Sequence, residues 1–414
     1  MNRAALLASI ESFEAWLAAY GDFSQDQYDF WANPAGQRAK RLAYHHRVAG
    51  LALAAPFVLL DSVAPASRRV FRGKQRFPIA DAHYAMAFFN LAVAPIDQDG
   101  ASGAPGASRG PGAPGPAPLA AGRRYLAALT ASRAPGFENA GWGYPFDWEG
   151  WFGTFKAGTP FITTTAYVYE AFEQGYELTS DDRYLDMMQS IARFAHEDLG
   201  DQEVAPGVRA SSYGPSDRRR VVNASAYRAL LLTRAGLRFK RDDWLEAARG
   251  NVAFVLRSQQ LDGSWLYAME DRDRFVDNFH TCFVLKSLVK VWRATGDGAI
   301  LEAAQKGYAF YKRNLLDDEG LPVPFAQAQR LNLVRRELYD LAEGINLALL
   351  MRGRDSDADT IAGRLLGELL DNWTLPDGHF VSRVTWFGRN TVPYHRWAQA
   401  QAFHALTRAF LEGA

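Results

Sequence analysis

Acids, histidines and aromatic rings recur in tight groups along this chain. Asp277 and His280 stand three residues apart, which on a helix puts them on one face, within reach of one ligand. Tyr339, Asp340 and Glu343 give a second such face, with carboxylates one turn apart. Tyr394-His395-Arg396-Trp397 supplies a base, a cation and a stacking plane in consecutive residues. Asp147 lies inside an aromatic stretch, Trp142-Gly143-Tyr144-Pro145-Phe146-Asp147-Trp148. Such an inventory suits general acid–base work on a flat, hydroxyl-rich ligand such as a sugar ring, because aromatic faces stack while hydrogen-bonding edges stay free.

Two outcomes stay open. Two carboxylates facing each other across a cavity, for instance Asp147 and Asp340, would hydrolyse a glycoside, with retention at a gap near ~5 Å and inversion at a wider one. A histidine (His280 or His395) with a tyrosine, and Arg336, Arg383 or Arg396 neutralising a uronate, would instead favour β-elimination or epimerisation. The catalytic candidates are therefore Asp147, Asp277, His280, Tyr339, Asp340 and His395. The substrate-binding candidates are Asp81, His83, Trp142, Tyr144, Trp148, Asn278, Arg336, Arg383, Trp386, Tyr394, Arg396 and Trp397. Each alone has a plainer reading: Asp81 or Asp277 as a helix cap, His280 as a core histidine, Arg396 as half of an ion pair. Their clustering at the starts of apolar helices, or in the loops just before, is the sharper signal, since unpaired buried charge is costly.

No metal or cofactor is expected. Cys282 is the only cysteine, so a multi-thiolate site and an internal disulfide are both excluded. His45 and His46 are adjacent and would point about 100° apart on a helix, and no His-x3-His spacing occurs. The basic run Arg218-Arg219-Arg220 reads as a solvated loop.

The elements that must position these groups are helices. Polar caps open one set of helices at Ser180-Asp181-Asp182, Asp242-Asp243, Asp297-Gly298 and Asp355-Ser356-Asp357. More apolar second helices begin near Pro78, Pro160, Asn223, Asp277, Arg335 and Pro393, a repeat of one helical hairpin per unit. A helix apolar over most of its circumference, as in Ala224 to Leu232, has to be surrounded, which favours a closed double ring over an open solenoid. The fold class predicted is all-α, an (α/α)6 toroid forming a single domain over 1–414. Residues 1–61 are expected as N-terminal helices packing on the ring. Residues 99–118, rich in Gly, Ala and Pro, are expected as a flexible insertion.

This six-hairpin pattern, over about residues 62–414, resembles the α/α-toroid superfamilies: six-hairpin glycosidases, sugar 2-epimerases, and the terpenoid cyclase and protein prenyltransferase group. Within them, Trp142 to Trp148 followed by Gly158-Thr159-Pro160-Phe161 and a Thr-rich helix looks like a bacterial family encoded in exopolysaccharide biosynthesis clusters. Phe279-His280-Thr281-Cys282 is similar to the prenyltransferase segment that supplies a zinc-binding histidine, but the further cysteine ligand of that family is missing. Gln260-Leu261-Asp262-Gly263-Ser264-Trp265 resembles the repeats of class II cyclases, without their Asp-x-Asp-Asp acid. The resemblance implies a carbohydrate-active protein of polysaccharide biosynthesis, an enzyme of the hydrolase, lyase or epimerase type. A non-catalytic glycan-binding or assembly protein is the rival, and an isoprenoid- or lipid-linked-sugar-processing enzyme the third reading.

Composition narrows the partners. Lys+Arg and Asp+Glu both total 46, a balance that argues against nucleic acid or an anionic membrane as the main partner, while leaving room for a local basic patch. Leu51 to Leu60 is the most apolar segment and is shorter than the ~18 residues of a membrane span. A saccharide or polysaccharide substrate, no membrane span and a cytoplasmic location are the expectations.

Overall fold

The computed structural model describes residues 3–95, 115–328 and 332–413. The chain opens with α1 (Arg3–Tyr20), α2 (Asp29–Ala32), α3 (Pro34–His45) and α4 (Arg47–Val63). From there two layers alternate: α5 (Pro78–Val93), α6 (Pro116–Ala131), α7 (Ile162–Thr179), α8 (Asp182–Arg193), α9 (Val222–Phe239), α10 (Asp242–Arg257), α11 (Asn278–Thr295), α12 (Gly298–Asn314), α13 (Leu338–Met351), α14 (Ala358–Glu368) and α15 (Ala400–Leu411). Odd numbers from α5 onward form the inner layer and even numbers the outer.

Each inner helix packs on the next, and α15 packs back on α5, which closes the ring. The chemistry of each layer follows from its surroundings. Every residue of α13 is buried, as is α5 from Pro78 to Ala92. Outer α8, in contrast, buries only Met188, Ile191 and Ala192, a single stripe. The caps behave as their side chains dictate: the carboxylates of Asp181 and Asp297 accept the amides of Arg183 at 3.1 Å and Ala299 at 2.9 Å, satisfying donors the first turn leaves free. The toroid is therefore all-α in its frame.

The structure adds to the sequence reading at three points. Helix α1 packs against α15 and so serves as an outer helix of the ring itself. Most of the 99–118 segment lies outside the described residues; its last residues, Pro116 to Pro118, open α6, where proline's preset φ suits the first turn. Arg335 sits on a strand, before α13 begins.

That strand is one of nine short ones among the described residues, all in the connections that lead from an outer helix to the next inner helix. They are β1 (Trp148–Gly150), β2 (Gly153–Phe155), β3 (Gln202–Ala205), β4 (Val208–Ala210), β5 (Val276–Asp277), β6 (Phe325–Gln327), β7 (Val334–Glu337), β8 (Arg383–Thr385) and β9 (Gly388–Asn390). At two to four residues each, they are too short to show an alternating pattern in sequence. All pairs are antiparallel, and β5–β6 and β7–β8–β9 stitch neighbouring connections together. The inner helices all start at this end. It is a braced rim.

Candidate active site at the mouth of the ring

The rim loops and the first turns of the inner helices bring a closed circuit of side chains around the ring axis. Tyr339, on α13, stacks on Trp397 with centroids 4.4 Å apart and planes at 18°. Phe279 meets both edge-on, at 5.4 and 5.2 Å, and touches His280 at 4.4 Å. Tyr213 lies against Trp148 at 5.8 Å, and Trp148 against Tyr144 at 6.1 Å. The Arg396 guanidinium completes the circuit, 4.6 Å from the Tyr144 ring and 5.2 Å from Trp397. Tyr144, Trp148, Phe279, His280 and Trp397 are only half-buried, so this circuit, the cup of the ring, reaches solvent.

One side of this cup carries a hydrogen-bonded chain. Asp277 caps α11, accepting the backbone amide of His280 at 3.3 Å, and its second oxygen lies 2.7 Å from His280 Nδ1. A carboxylate there holds the proton on Nδ1 and leaves Nε2 as an acceptor. Nε2 faces the Tyr213 hydroxyl at 3.4 Å, and Asn223 donates to that hydroxyl at 3.2 Å. Burial pushes the Tyr213 phenol well above its ordinary pKa, so it stays protonated. A void of about 10 Å³ lined by Asn223, Tyr267, Asp277, His280 and Thr281 adjoins the chain, room for one water.

Below the cup the bore is filled by charge. Lys286 pairs with the fully buried Glu343 and donates to the Tyr167 hydroxyl at 3.2 Å. Deeper still, Lys290 pairs with Glu170 at 2.6 Å. Burial opposes ionisation of Glu170, but Lys290 and Arg234 outweigh it and hold the carboxyl down at about 2. Between Tyr167, Tyr227, Glu170 and Lys286 lies a void of about 10 Å³. The cup has a floor.

The remaining candidates separate into distinct surroundings. Asp147 is engaged in its own hairpin, 2.9 Å from Lys156 Nζ and accepting the Ala157 amide at 2.8 Å. Asp340 is fully buried, with no hydrogen-bond partner on either oxygen among the described residues. Burial raises its pKa well above the carboxylate range, and Glu337, Asp277 and Glu343 push it further. Asp147 and Asp340 therefore do not present two carboxylates to one open cleft. His395 is also withdrawn: Nε2 donates to the Gly21 carbonyl at 2.9 Å, and Nδ1 lies 2.5 Å from the Tyr84 hydroxyl. Burial brings its pKa down to about 4.

Among the binding candidates, Tyr144, Trp148, Arg396 and Trp397 line the cup. Arg396 is simultaneously clamped by Asp26 at 2.6 and 2.7 Å, which fixes its plane beneath the rings. Trp142 is buried between helices, donating from Nε1 to Leu129 at 2.9 Å, and does not reach the cup. Asn278 ties the Leu315 and Val323 carbonyls; Asp81 accepts from Arg76 at 2.8 Å; His83 packs on Tyr167 and His404. Tyr394 accepts from Asn390 at 2.9 Å inside the core. Arg336 pairs with Asp317, and Trp386 projects from the β8–β9 tip beneath Arg335. Arg383 joins Glu337 at 2.6 Å, and the Trp397 Nε1 donates to the same Glu337 at 3.3 Å. Of the basic run, Arg218 is exposed and Arg220 holds Glu270, but Arg219 is buried on the Phe152 ring between Asp217 and Asp273.

Sequence reasoning passed over Lys286 and Lys290. Their signal was present: two lysines at i, i+4 in the apolar run Cys282 to Val291 face a neighbour that must neutralise them.

With the geometry in view, the likeness to known structures can be stated. The whole chain superposes on an unsaturated glucuronyl hydrolase specific for heparin, with a TM-score of 0.63, 11% identity and 98% of that chain covered. It is also similar to a GH76 α-mannanase from Bacteroides thetaiotaomicron (TM-score 0.57, 12% identity, 80% of this chain and 85% of that one) and to a sugar epimerase from a ruminal bacterium (TM-score 0.57, 12% identity, 80% and 88%). The likeness is one of fold. The toroid expected from the hairpin repeat is the toroid of these glycosidase structures. No protein-family model and no curated protein matches the sequence.

Proposed function

We propose that this chain is a saccharide-processing enzyme that removes a proton from a sugar carbon, as an epimerase or an eliminating lyase does. The observation that carries the reading is the Asp277–His280–Tyr213 chain at the edge of an aromatic cup. His280 Nε2 takes a proton from the carbon next to a carbonyl or uronate carboxylate, and the C–H electron pair moves into that group as an enolate. In elimination the C–O bond one carbon away then breaks, and Tyr213 hands its proton to the departing oxygen. In epimerisation the carbon is reprotonated instead. Asp277 holds the imidazole in the tautomer the step needs, and the half-buried rings of Tyr144, Trp148 and Trp397 offer the sugar a stacking surface. A sugar epimerase among the structures of like fold supports the same class of substrate. A place in exopolysaccharide biosynthesis belongs to this proposal, supported by the resemblance of the Trp142–Trp148 segment; so does a cytoplasmic location, which the single cysteine, Cys282, fits.

Hydrolysis by paired carboxylates is less well supported, because Asp147 and Asp340 have separate surroundings. The isoprenoid reading needs clustered carboxylates for magnesium, and among the described residues no three His, Cys, Asp or Glu side chains gather in that way. A binding-only role would use the same half-buried rings without His280 acting on the ligand.

The test is a panel of neutral and uronate-containing oligosaccharides incubated in D2O and followed by mass spectrometry. Deuterium at one sugar carbon, or loss of a glycosidic substituent with a new C=C bond, is the expected result. His280→Ala should lower the rate by ~10²–10⁴-fold. Oxygen from water entering the product without deuterium on carbon would establish hydrolysis instead; tight binding with no turnover would establish the binding role.

A further inference from the structure

Helix α4 differs from the other helices among the described residues. From Val48 to Leu60 it carries no charged residue, yet it lies on the surface. Val48 is 84% exposed, Leu51 57% and Leu59 55%. Exposed apolar side chains in such a continuous patch mark a surface made to be covered. The helix is too short to span a bilayer, and no helix among the described residues is long and apolar enough to do so.

Charge says what covers it. The chain as a whole has a net charge of zero, but residues 33–74 hold eight Lys or Arg and a single acid, Asp61. Asp61 is itself paired with Arg68 and Arg383. Exposed Arg38 on α3 and Arg69, just after α4, belong to elements that pack on it. A second element extends the patch: α4 touches β9, and the β8–β9 tip exposes Trp386 (66%) and Phe387 (57%), with Arg335 over the Trp386 ring at 4.8 Å. Aliphatic side chains, an aromatic tip and a basic border are the chemistry of the interface between headgroups and acyl chains.

We infer that α4 and the β8–β9 tip seat this protein on an anionic lipid surface, lying in the headgroup layer without crossing it. The seat is coupled to the cup. Asp61 of α4 meets Arg383 at 3.4 Å, Arg383 meets Glu337, and Glu337 accepts from Trp397 in the cup wall. The β8–β9 tip belongs to the rim, so the mouth of the ring faces the bilayer side.

The experiment is sedimentation of the full chain with vesicles of phosphatidylcholine alone and of phosphatidylcholine mixed with phosphatidylglycerol. The native chain should pellet with the anionic vesicles and be released by salt. Leu51→Ser with Leu59→Ser should lower binding at least tenfold. Arg38→Glu with Arg69→Glu should remove most of the salt dependence, and Trp386→Ser, on another element, should weaken binding separately. These positions are exposed, and far-UV circular dichroism checks that the fold is kept. A native chain that stays in the supernatant with both vesicle types overturns the inference, as do variants that bind like the native chain. A dimer in light scattering that Leu59→Ser returns to monomer, without vesicle binding, overturns it in favour of a second copy. The readout is binding alone, independent of whether the cup turns over a saccharide.

Discussion

His280 and His395 are the same residue type at the same end of the ring, and their neighbours give them opposite tasks. His280 has Asp277 on one nitrogen and a half-open cup on the other side. Asp277→Asn should keep α11 capped but remove the charge that orients the imidazole, so its loss of turnover should approach that of His280→Ala; Tyr213→Phe should impair proton delivery while ligand binding changes little. Rates and dissociation constants measured on the three variants check this. His395 is buried and neutral. Because its pKa falls from 6.5 when unfolded to about 4 when folded, the unfolded chain binds the extra proton as pH drops. Stability is then complete above about pH 6.5 and is lost progressively toward pH 4, on the order of 3 kcal/mol in all. His395→Gln, which can still bond Gly21 and Tyr84, should flatten the stability profile in that window, as urea titrations at several pH values would report. Asp340 works with the other sign. Its raised pKa makes the folded chain hold a proton that the unfolded chain gives up above its ordinary value, so stability falls as pH rises from there. Asp340→Asn should raise the midpoint at pH 7 and matter little at pH 3.

At the scale of elements, the rim depends on close backbone approaches. A Cβ on Gly143 would stand 1.8 Å from the Thr159 carbonyl oxygen, where Gly143 and Pro160 bridge. Gly143→Ala should therefore displace Tyr144 from the cup and lower the thermal midpoint, at a cost of about 1–3 kcal/mol or more. Differential scanning calorimetry with a saccharide-binding assay measures both effects. The same elements show what a sequence discloses. Asp181 and Asp297 announced helix starts because capping is local chemistry. The spacing of Asp277 and His280 was readable for the same reason. Trp142 and Trp148 were not distinguishable, since one fills a gap and donates to Leu129 while the other faces the cup, and only the packing of α6 on α7 decides between them. His395 is hidden by Gly21 and Tyr84, both more than 300 residues away in sequence, beyond any periodicity. The rim strands stayed invisible because two to four residues are too few to show an alternating pattern.

At the scale of the molecule, closure of the ring is the organising event. Phe13 of α1 stacks between Phe403 of α15 at 4.7 Å and Phe380 at 5.2 Å, and a Cβ on Gly378 would stand 2.3 Å from the Ser12 carbonyl oxygen. Phe13→Ala should cost about 3–5 kcal/mol, and chemical denaturation should show a lower midpoint for the whole chain, not for one segment. The closure was legible as an argument about apolar circumference; the identity of the last outer helix was not, because α1 looks like any amphipathic segment until α15 lies beside it.

That partnership gives the molecule a timetable. Helix α1 has Leu6, Ile10, Phe13 and Leu17 ready for a neighbour, α15, that is translated long after it. At roughly 5–20 residues per second, those side chains wait on the order of half a minute with nothing native to touch. Nascent chains of this protein should therefore bind holdase chaperones through α1 and be set free once α15 has been made, and a circular permutant that begins at α5 would synthesise α15 and α1 back to back.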